Sequence, residues 1–338
     1  MLYNKYLTHV ITLSNKLLIN ILNQYLYDNL LPIDSTTTQY TTWLNNILNT
    51  TQLIQSLEPS YKQCIQRINV IQHDIDNTHI NELHNTIQQK YYTYYTDIYN
   101  KIQLYYTKHH DIMLYSTSII QYINNITQWI QFINKLQISN ESNKQLQTIE
   151  NNITQSLTII QQYYLNECTT ILKHEPKTIY HKLDENDEPT QYTYDTITLI
   201  KTHFNNIQKQ LQNSNTYDNY ITSFIKQFIN IYIILLQQYQ CTALGANLLA
   251  RNLQHIYDEL SQYINTTTTI HNELYRMTQI TCLYVVKSNE LQSILLNTKQ
   301  GKYILQHYTM YELIQLLKIR TDYNTQQQLL HESIQKLY

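Results

Sequence analysis

Glycine and proline are scarce in this chain: its 338 residues include two glycines and four prolines. Tight turns depend on these residue types, so a protein of many β-strands would lack the turn chemistry it needs. Two glycines also exclude a glycine-rich phosphate-binding loop, and the patterns GxxxxGK[ST], GxGxxG, HExxH and GxSxG do not occur. The hydrophobic fraction of 42% is that of a chain with a buried core. These features favour an all-α protein.

The chain also lacks a strong charge of either sign. Its formal net charge is −2, which provides neither a basic field for nucleic acid nor a polybasic stripe for anionic lipid. The longest apolar stretch, near residues 229–236, is far shorter than the roughly 20 residues that a membrane span needs. The N-terminus has no continuous apolar segment of the signal-peptide type. We therefore expect no nucleic-acid partner and no direct membrane span.

Cysteine and histidine are not arranged as metal ligands. His73, His79 and His84 are 6 and 5 residues apart, so they do not share one helix face, and we expect partly exposed polar positions. The cysteines are far apart and form no CxxC pattern, which favours a reduced, intracellular setting. They are Cys64, Cys168, Cys241 and Cys282. No catalytic residue, cofactor or metal is expected, and an enzyme is disfavoured.

Apolar residues recur at helical spacing along most of the chain. Three regions are predicted: an N-terminal helical bundle region over 1–175, an acidic, proline-containing loop over 176–190, and a C-terminal helical bundle over 191–338. Breaks between helices are expected near 76–79, 108–111 and 139–142. Pro59 is suited to a helix start, and Gly301 marks a predicted turn.

Residues that are rare elsewhere cluster in the segment ALGANLLA, which holds Gly245 and all three alanines of the chain. Gly245 and Ala246 are predicted to start a helix and to let a neighbouring helix come close; a ligand site is the alternative. The helix that follows carries apolar residues in 4-3-4-3 steps, which is typical of a packing seam. They are Leu249, Leu253, Ile256, Leu260 and Tyr263.

The sequence Thr309-x-x-Glu312 is a capping box, in which each residue's side chain bonds the other's backbone N–H. A second hypothesis is that Glu312 also pairs with Arg276, which falls among apolar residues. If this pair is even partly buried, removal of one partner would cost about 3–5 kcal/mol. An Arg276→Trp variant should then lose thermal stability and leave its complex.

Arg320 and Asp322 are two residues apart, a spacing that does not place them on one helix face. We expect Arg320 to bond the carbonyls of the last helical turn or of a neighbouring helix, and Asp322 to terminate the helix.

The segments GANLLARNLQHIYDEL and HYTMYELIQLLKIRTDYN resemble the C-terminal end of subunit 4 of the conserved oligomeric Golgi complex. That family has a small-residue pair that starts a long helix, a threonine-rich turn, and an Arg-x-x-Gln step, here Arg276 to Gln279. Its chain ends in Leu-Thr-x-x-Glu-Val…Leu-x-Leu-Arg-x-Asp-Phe, which corresponds here to residues 308–313 and 317–323. The resemblance covers about 243–324.

The resemblance implies elongated, stacked helical bundles of the tethering-complex helical-rod type. It implies a non-catalytic subunit of a vesicle tether that acts in retrograde intra-Golgi transport and SNARE assembly. The implied partners are the other tether subunits, SNARE proteins and SNARE regulators. The implied location is the cytoplasm, peripheral on the cytosolic face of the Golgi membrane. Most of this chain would correspond to the family's C-terminal half, and its N-terminal coiled coil would be missing or unrecognisable.

Two alternatives stay open. Related tethering subunits of endoplasmic-reticulum, endosomal or exocytic type share the ending Glu-Leu-x-x-Leu-Leu-x-x-Arg. A helical cytoskeletal or kinetochore scaffold would show the same composition without a membrane role.

Overall fold

The structure, a computed structural model, is all-α in the part of the chain that it describes: residues 9–10, 12–14, 16–21, 37–47, 50–71, 78–135, 144–181, 188–211, 214–264 and 269–337. Within these ranges the only β pairing is one isolated bridge between Cys241 and Arg320. The predicted fold class of helical bundles is therefore confirmed. The chain divides into two compact units, residues 1–160 with 210–213 and residues 161–209 with 214–338.

The first unit is built from long helices. Residues 16–21 are helical. The helices that follow are α1 (Thr37–Ile47), α2 (Thr50–Ile71), α3 (Thr78–His109), α4 (Ile112–Lys135) and α5 (Lys144–Lys173), the last of which contributes to both units. Both α2 and α3 pack on α4.

The predicted break near 108–111 lies between α3 and α4. His110 has a φ of 52°, in the left-handed region that ends the preceding helix. Asp111 follows, and its carboxylate accepts a hydrogen bond from the backbone N–H of Leu114 at 3.0 Å, which caps the first turn of α4. The predicted break near 139–142 and the first half of the one near 76–79 lie outside the described residues; α2 ends at Ile71 and α3 begins at Thr78, and α4 ends at Lys135 and α5 begins at Lys144.

Tyrosine takes the place of phenylalanine in the core of the first unit, as the ratio of 33 tyrosines to 4 phenylalanines would require. Tyr91 stacks on Trp129 with 3.7 Å between ring centroids, and both side chains are fully buried. A buried phenol needs a hydrogen-bond partner, and Tyr40 donates to Ser118 at 3.2 Å. This core is therefore more polar than one made of phenylalanine.

The second unit contains shorter helices joined by tight connections. The helices are α6 (Gln191–Gln210), α7 (Ser214–Leu236), α8 (Ala246–Leu260), α9 (Thr269–Gln279), α10 (Cys282–Val285), α11 (Leu291–Asn297), α12 (Lys299–His307), α13 (Met310–Leu317) and α14 (Tyr323–Gln335), with 3₁₀ turns at Ile179–His181 and Ser261–Tyr263. Helix α9 packs on α7, α8 and α12, and α13 packs on α14.

The apolar seam of α8 is the core of this unit, as its spacing predicts. Its four aliphatic residues from Leu249 to Leu260 are fully buried, and Tyr263 at its end is partly exposed. The facing residues Leu274 and Met277 of α9 are also buried. The 4-3-4-3 pattern therefore marks a helix–helix contact.

Three local predictions were wrong. Pro59 lies inside α2 rather than at its start; it is exposed, as is Gln55 one turn earlier, so the carbonyl that it leaves unpaired can face water. Gly301 lies inside α12, where it permits close packing on α11. His84 is buried against Tyr61, and burial lowers its pKa to about 4. His73 and the side chain of His79 lie outside the described part of the chain.

Helix α7 is, among the described residues, the one helix long and apolar enough to cross a membrane by length and composition. Half of its most apolar window is buried inside the structure, and Phe224, Ile225 and Phe228 are fully buried. A core helix of this kind passes the same test, so the finding carries little weight for a membrane span.

Candidate functional site

The predicted capping box is present at the start of α13. Thr309 has extended backbone angles (φ −75°, ψ 157°), and its hydroxyl accepts from the N–H of Glu312 at 3.2 Å. In return, Oε2 of Glu312 accepts from the N–H of Thr309 at 2.7 Å. Two N–H groups that the helix leaves unpaired are thereby satisfied.

Glu312 also meets Arg276, as the second hypothesis predicts. Nη2 of Arg276, on α9, donates to Oε1 of Glu312 at 2.8 Å. One carboxylate oxygen therefore serves the cap and the other serves the ion pair. The two proposed roles of Glu312 coexist, and they join the last turn of α9 to the first turn of α13.

Tyr308 completes this junction. The guanidinium carbon of Arg276 lies 3.9 Å from the centroid of the Tyr308 ring, within cation–π range. The Tyr308 hydroxyl donates to the backbone carbonyl of Arg276 at 3.0 Å. Burial raises the pKa of Tyr308 to about 12, although Arg276 acts in the opposite direction. The phenol is therefore a hydrogen-bond donor throughout the physiological range.

The ion pair is partly buried, but the cost that the sequence hypothesis attached to such a pair is too high. The side chains of Arg276 and Glu312 are 29% and 41% exposed, and partly exposed pairs contribute far less than buried ones. Burial alone would raise the pKa of Glu312, but its hydrogen bonds to Thr309 and Arg276 outweigh burial and lower the pKa. We therefore place the cost of losing this pair well below the 3–5 kcal/mol of a buried pair.

We expect Arg276→Trp to lower the free energy of unfolding by about 1–2 kcal/mol, because it removes a surface-type ion pair and a cation–π contact. Glu312→Gln should cost less, since its side-chain amide oxygen can still accept from Thr309. The pair's contribution is present above the ordinary carboxyl pKa of 4.5 and is lost as the pH falls through the lowered value in the folded protein. Urea unfolding of both single variants and the double variant at pH 7 and pH 3.5 measures the coupling. Additive effects at pH 7 would contradict the pairing.

Gln279 ends α9 three residues after Arg276. Its side-chain amide donates to the hydroxyl of Thr278 at 2.8 Å. The structure therefore places the Arg-x-x-Gln step at a helix end, with Gln279 in a local contact.

Gly245 and Ala246 stand at the start of α8, and Ala246 is fully buried. A Cβ atom on Gly245 would lie 1.7 Å from the backbone carbonyl oxygen of Tyr180. The predicted close approach therefore exists, but the neighbour is the 3₁₀ turn at 179–181 rather than an α-helix. Thr242 fixes the approach: its backbone N–H donates to the same Tyr180 oxygen at 3.0 Å.

Arg320 and Asp322 form a fork of two hydrogen bonds, although their spacing does not place them on one helix face. Nε and Nη2 of Arg320 donate to Oδ1 and Oδ2 of Asp322, each at 2.8 Å. The spacing rule holds only inside a helix, and α13 ends at Leu317, so both residues lie in the turn that follows. Asp322 also stands at the start of α14 rather than ending a helix.

The second part of the Arg320 expectation is correct: it bonds carbonyls of a neighbouring helix. Its Nη1 donates to the carbonyl of Leu283 at 2.6 Å and to that of Val286 at 2.9 Å. Ser288 bonds both Arg320 and Asp322. The guanidinium is therefore a buried cap for the short helix α10, and its side chain is only 6% exposed.

Asn252 is a structural residue that the sequence reasoning missed. It is fully buried on the apolar seam of α8, accepts from the N–H of Thr190 at 2.8 Å and donates to the hydroxyl of Tyr180 at 2.8 Å. It thereby links Tyr180, in the 3₁₀ turn, to Thr190, just before α6, through two hydrogen bonds. A lone asparagine at a core position of the seam was the available signal.

The surface beside the Arg276 junction is rich in aromatic rings. Tyr275 makes edge contacts with Tyr257 and Tyr303, at centroid distances of 5.8 and 5.2 Å. Tyr275 is 40% exposed, and Tyr311, on α13, is 70% exposed. Surfaces that combine tyrosine, methionine and arginine are typical of protein–protein contacts. In the ranges that the structure describes, no group of three or more His, Cys, Asp or Glu residues could hold a metal.

No family model and no curated protein matches the chain. Among solved structures, the crystal structure of M-Sec is similar to it, with a TM-score of 0.55 and 15% sequence identity. The match covers 99% of this chain and 55% of the M-Sec chain, so this chain spans about half the length of that protein. At this identity the likeness concerns the fold alone, and it agrees with the all-α architecture described above.

Proposed function

We propose that this protein is a non-catalytic subunit of a multisubunit vesicle tether related to the conserved oligomeric Golgi complex. It would act in retrograde intra-Golgi transport and in SNARE assembly. Its partners would be the other tether subunits, SNARE proteins and SNARE regulators. It would be cytoplasmic and held at the cytosolic face of the Golgi membrane by those partners.

The observation that carries this proposal is the junction between α9 and α13. The resemblance to subunit 4 of the Golgi tether rests on residues around Arg276 and on the terminal run that holds Glu312. These two residues lie 36 positions apart in the chain and meet at 2.8 Å. A pair that joins two parts of one family pattern supports the interpretation that the pattern reflects a shared fold.

The fold and the surface support the same class of function. The likeness to M-Sec extends over 99% of the chain, which supports a helical protein of the tether type. The exposed Tyr275 and Tyr311 lie next to the junction, where a partner subunit could bury them. A subunit that works by assembly needs such a surface and needs no catalytic group.

The test is the set of proteins that the tagged chain recovers from cells of its own organism, identified by mass spectrometry. We expect other Golgi tether subunits and SNARE proteins to be enriched. Recovery of exocytic, endosomal or endoplasmic-reticulum tether subunits would replace the Golgi assignment by a related tether. Recovery of tubulin or centromere proteins instead would overturn the tether function.

A pair of variants separates folding from partner binding. Tyr311→Ser changes an exposed side chain and should leave the free energy of unfolding within about 0.5 kcal/mol of the wild-type value. We expect it to reduce partner recovery if α13 faces a partner. Arg276→Trp should reduce both stability and recovery. Full recovery with Tyr311→Ser would show that partners bind elsewhere on the chain.

A further inference from the structure

Glu175 is a buried carboxyl group that has no basic partner among the cavity-lining residues that the structure describes. It lies just after α5, it is 4% exposed, and the groups around it are phenols and aliphatic side chains. None of the residues that line its surroundings is a lysine, arginine or histidine. An ionised carboxylate in such surroundings is strongly unfavourable unless it is paired. The uncharged acid avoids this penalty.

Glu175 lines a small cavity. Its Oε1 is buried and has no hydrogen-bond partner in the protein. The cavity has a volume of about 10 Å³ and is lined by three leucines and by Tyr180, Tyr232 and Tyr239. This is roughly the space that one water molecule requires, and a buried water is found where two or more polar groups can bind it.

Oε2 of Glu175 links the carboxyl group, through Tyr180 and Asn252, to residues 176–181 and 188–190. The hydroxyl of Tyr180 lies 3.5 Å from Oε2, and Tyr180 also accepts from Asn252. Asn252 in turn holds the backbone of Thr190. The carboxyl therefore belongs to one network with residues 176–181 and 188–190.

We propose that Glu175 is an uncharged acid that binds one buried water, and that this cluster is a proton-controlled clamp on residues 176–181 and 188–190. While the acid keeps its proton, the water and the phenols satisfy its oxygens. Loss of the proton puts a charge among groups that carry no compensating positive charge. The network then opens, and both chain segments are released from Asn252.

The other titratable groups that line the cavity beside Glu175 are phenols. Tyr180 of the 3₁₀ turn, Tyr232 of α7 and Tyr239 after α7 all have raised pKa values, mainly through burial. These phenols therefore stay neutral below pH 10. Burial also raises the pKa of Glu175 above its ordinary value of 4.5, although the nearby hydroxyl groups of Thr190, Tyr239 and Tyr180 act in the opposite direction.

The sign of the pH dependence follows from the raised pKa. The stability that the protonated acid contributes is fully present below pH 4.5, the ordinary carboxyl value. It is lost as the pH rises towards the pKa of Glu175 in the folded protein. Over that interval the unfolding equilibrium constant rises by up to about tenfold per pH unit, and then it levels off.

Glu175→Gln is the matched control, because the amide has the shape of the acid and cannot ionise. The ratio of the unfolding constants of the wild type and Glu175→Gln, measured in urea from pH 4.5 to pH 9, should rise with pH in favour of the variant. Amide hydrogen exchange in residues 176–181 and 188–190, corrected for its intrinsic pH dependence, should accelerate at high pH in the wild type only. A high-resolution crystal structure at pH 5 should show one water on Oε1.

Three outcomes would overturn the proposal. A ratio that is constant with pH would show that Glu175 does not change ionisation between the folded and unfolded chain. A wild type that is more stable than Glu175→Gln at pH 9, particularly if potassium chloride raises the wild-type midpoint alone, would identify an ionised carboxylate paired with a cation. A dry cavity in the crystal would refute the water. If Glu175→Gln does not fold, Glu175→Met, which fills the cavity with an uncharged chain, serves as the reference.

Discussion

Gly245→Ala is expected to lower the free energy of unfolding by about 3 kcal/mol, the upper end of the range for an added methyl group in a packed site. The added Cβ would stand 1.7 Å from the carbonyl oxygen of Tyr180 and 2.2 Å from its carbonyl carbon. Both atoms belong to the backbone, so no side chain can rotate away. Either α8 or the 3₁₀ turn must move.

Such a movement would break more than one contact. The Tyr180 carbonyl accepts from the backbone of Thr242, and the Tyr180 hydroxyl accepts from Asn252. A displaced turn would loosen both bonds and the Glu175 cluster with them. Hydrogen exchange of residues 176–181 should therefore accelerate more than exchange in α13.

The matched control is Leu244→Ala, one residue earlier. Leu244 is 58% exposed, so its truncation should change the free energy of unfolding by less than about 0.5 kcal/mol. Equal urea midpoints for Gly245→Ala and the wild type would show that the close approach is absent in solution.

Arg320→Met is expected to cost about 3–5 kcal/mol, the cost of removing one partner from a buried charged network. The methionine keeps the length of the side chain and its packing, but it donates no hydrogen bond. The carbonyls of Leu283 and Val286 and the carboxylate of Asp322 would each lose a donor. Thermal and urea unfolding of the whole chain measure this loss.

Two companion variants identify the origin of the effect. Arg320→Lys retains the charge but cannot reproduce the planar fork that reaches two carbonyls and a carboxylate, so we expect an intermediate loss. Asp322→Asn should cost about 1 kcal/mol, since Asp322 is 39% exposed. A loss with Arg320→Met no larger than with Asp322→Asn would contradict the role of Arg320 as a helix cap.

The pH dependence of the Asp322 contribution provides a further check. The hydrogen bond from Arg320 is the main cause of its lowered pKa, burial opposes it, and Ser288 assists. Its contribution is therefore present above the ordinary aspartate pKa of 3.8 and is lost as the pH falls through the lowered value. In Asp322→Asn this acid-dependent loss should be absent.

Features that depend on neighbours in the chain were predictable. The seam of α8 follows from its 4-3-4-3 spacing, and the Thr309 cap needs only residues 309–312. The pairing of Arg276 with Glu312 could be predicted, because a lone arginine among apolar residues requires an acidic partner. The exposure of this ion pair could not be predicted, since it depends on how closely α9 and α13 pack.

Other features depend on contacts between distant segments. Gly301 appeared to mark a turn, yet it lies within α12, because the 2.4 Å between its potential Cβ and the carbonyl of Ile294 demands glycine inside a helix. The Arg320–Asp322 fork depends on where α13 ends. The Asn252 network joins three segments that are distant in the sequence, and spacing along the chain cannot predict that they contact each other.

The order of synthesis determines when the hydrogen bonds of Arg320 can form. The carbonyl of Leu283, which it satisfies, leaves the ribosome 37 residues earlier. Until Arg320 follows, α10 has its apolar residues but not the donor that caps it, and Cys241 lacks the backbone partners at 319 and 321 that it meets in the folded protein. A nascent chain interrupted before this residue would therefore hold unpaired carbonyl groups at the end of α10 and an unpaired backbone carbonyl at Cys241.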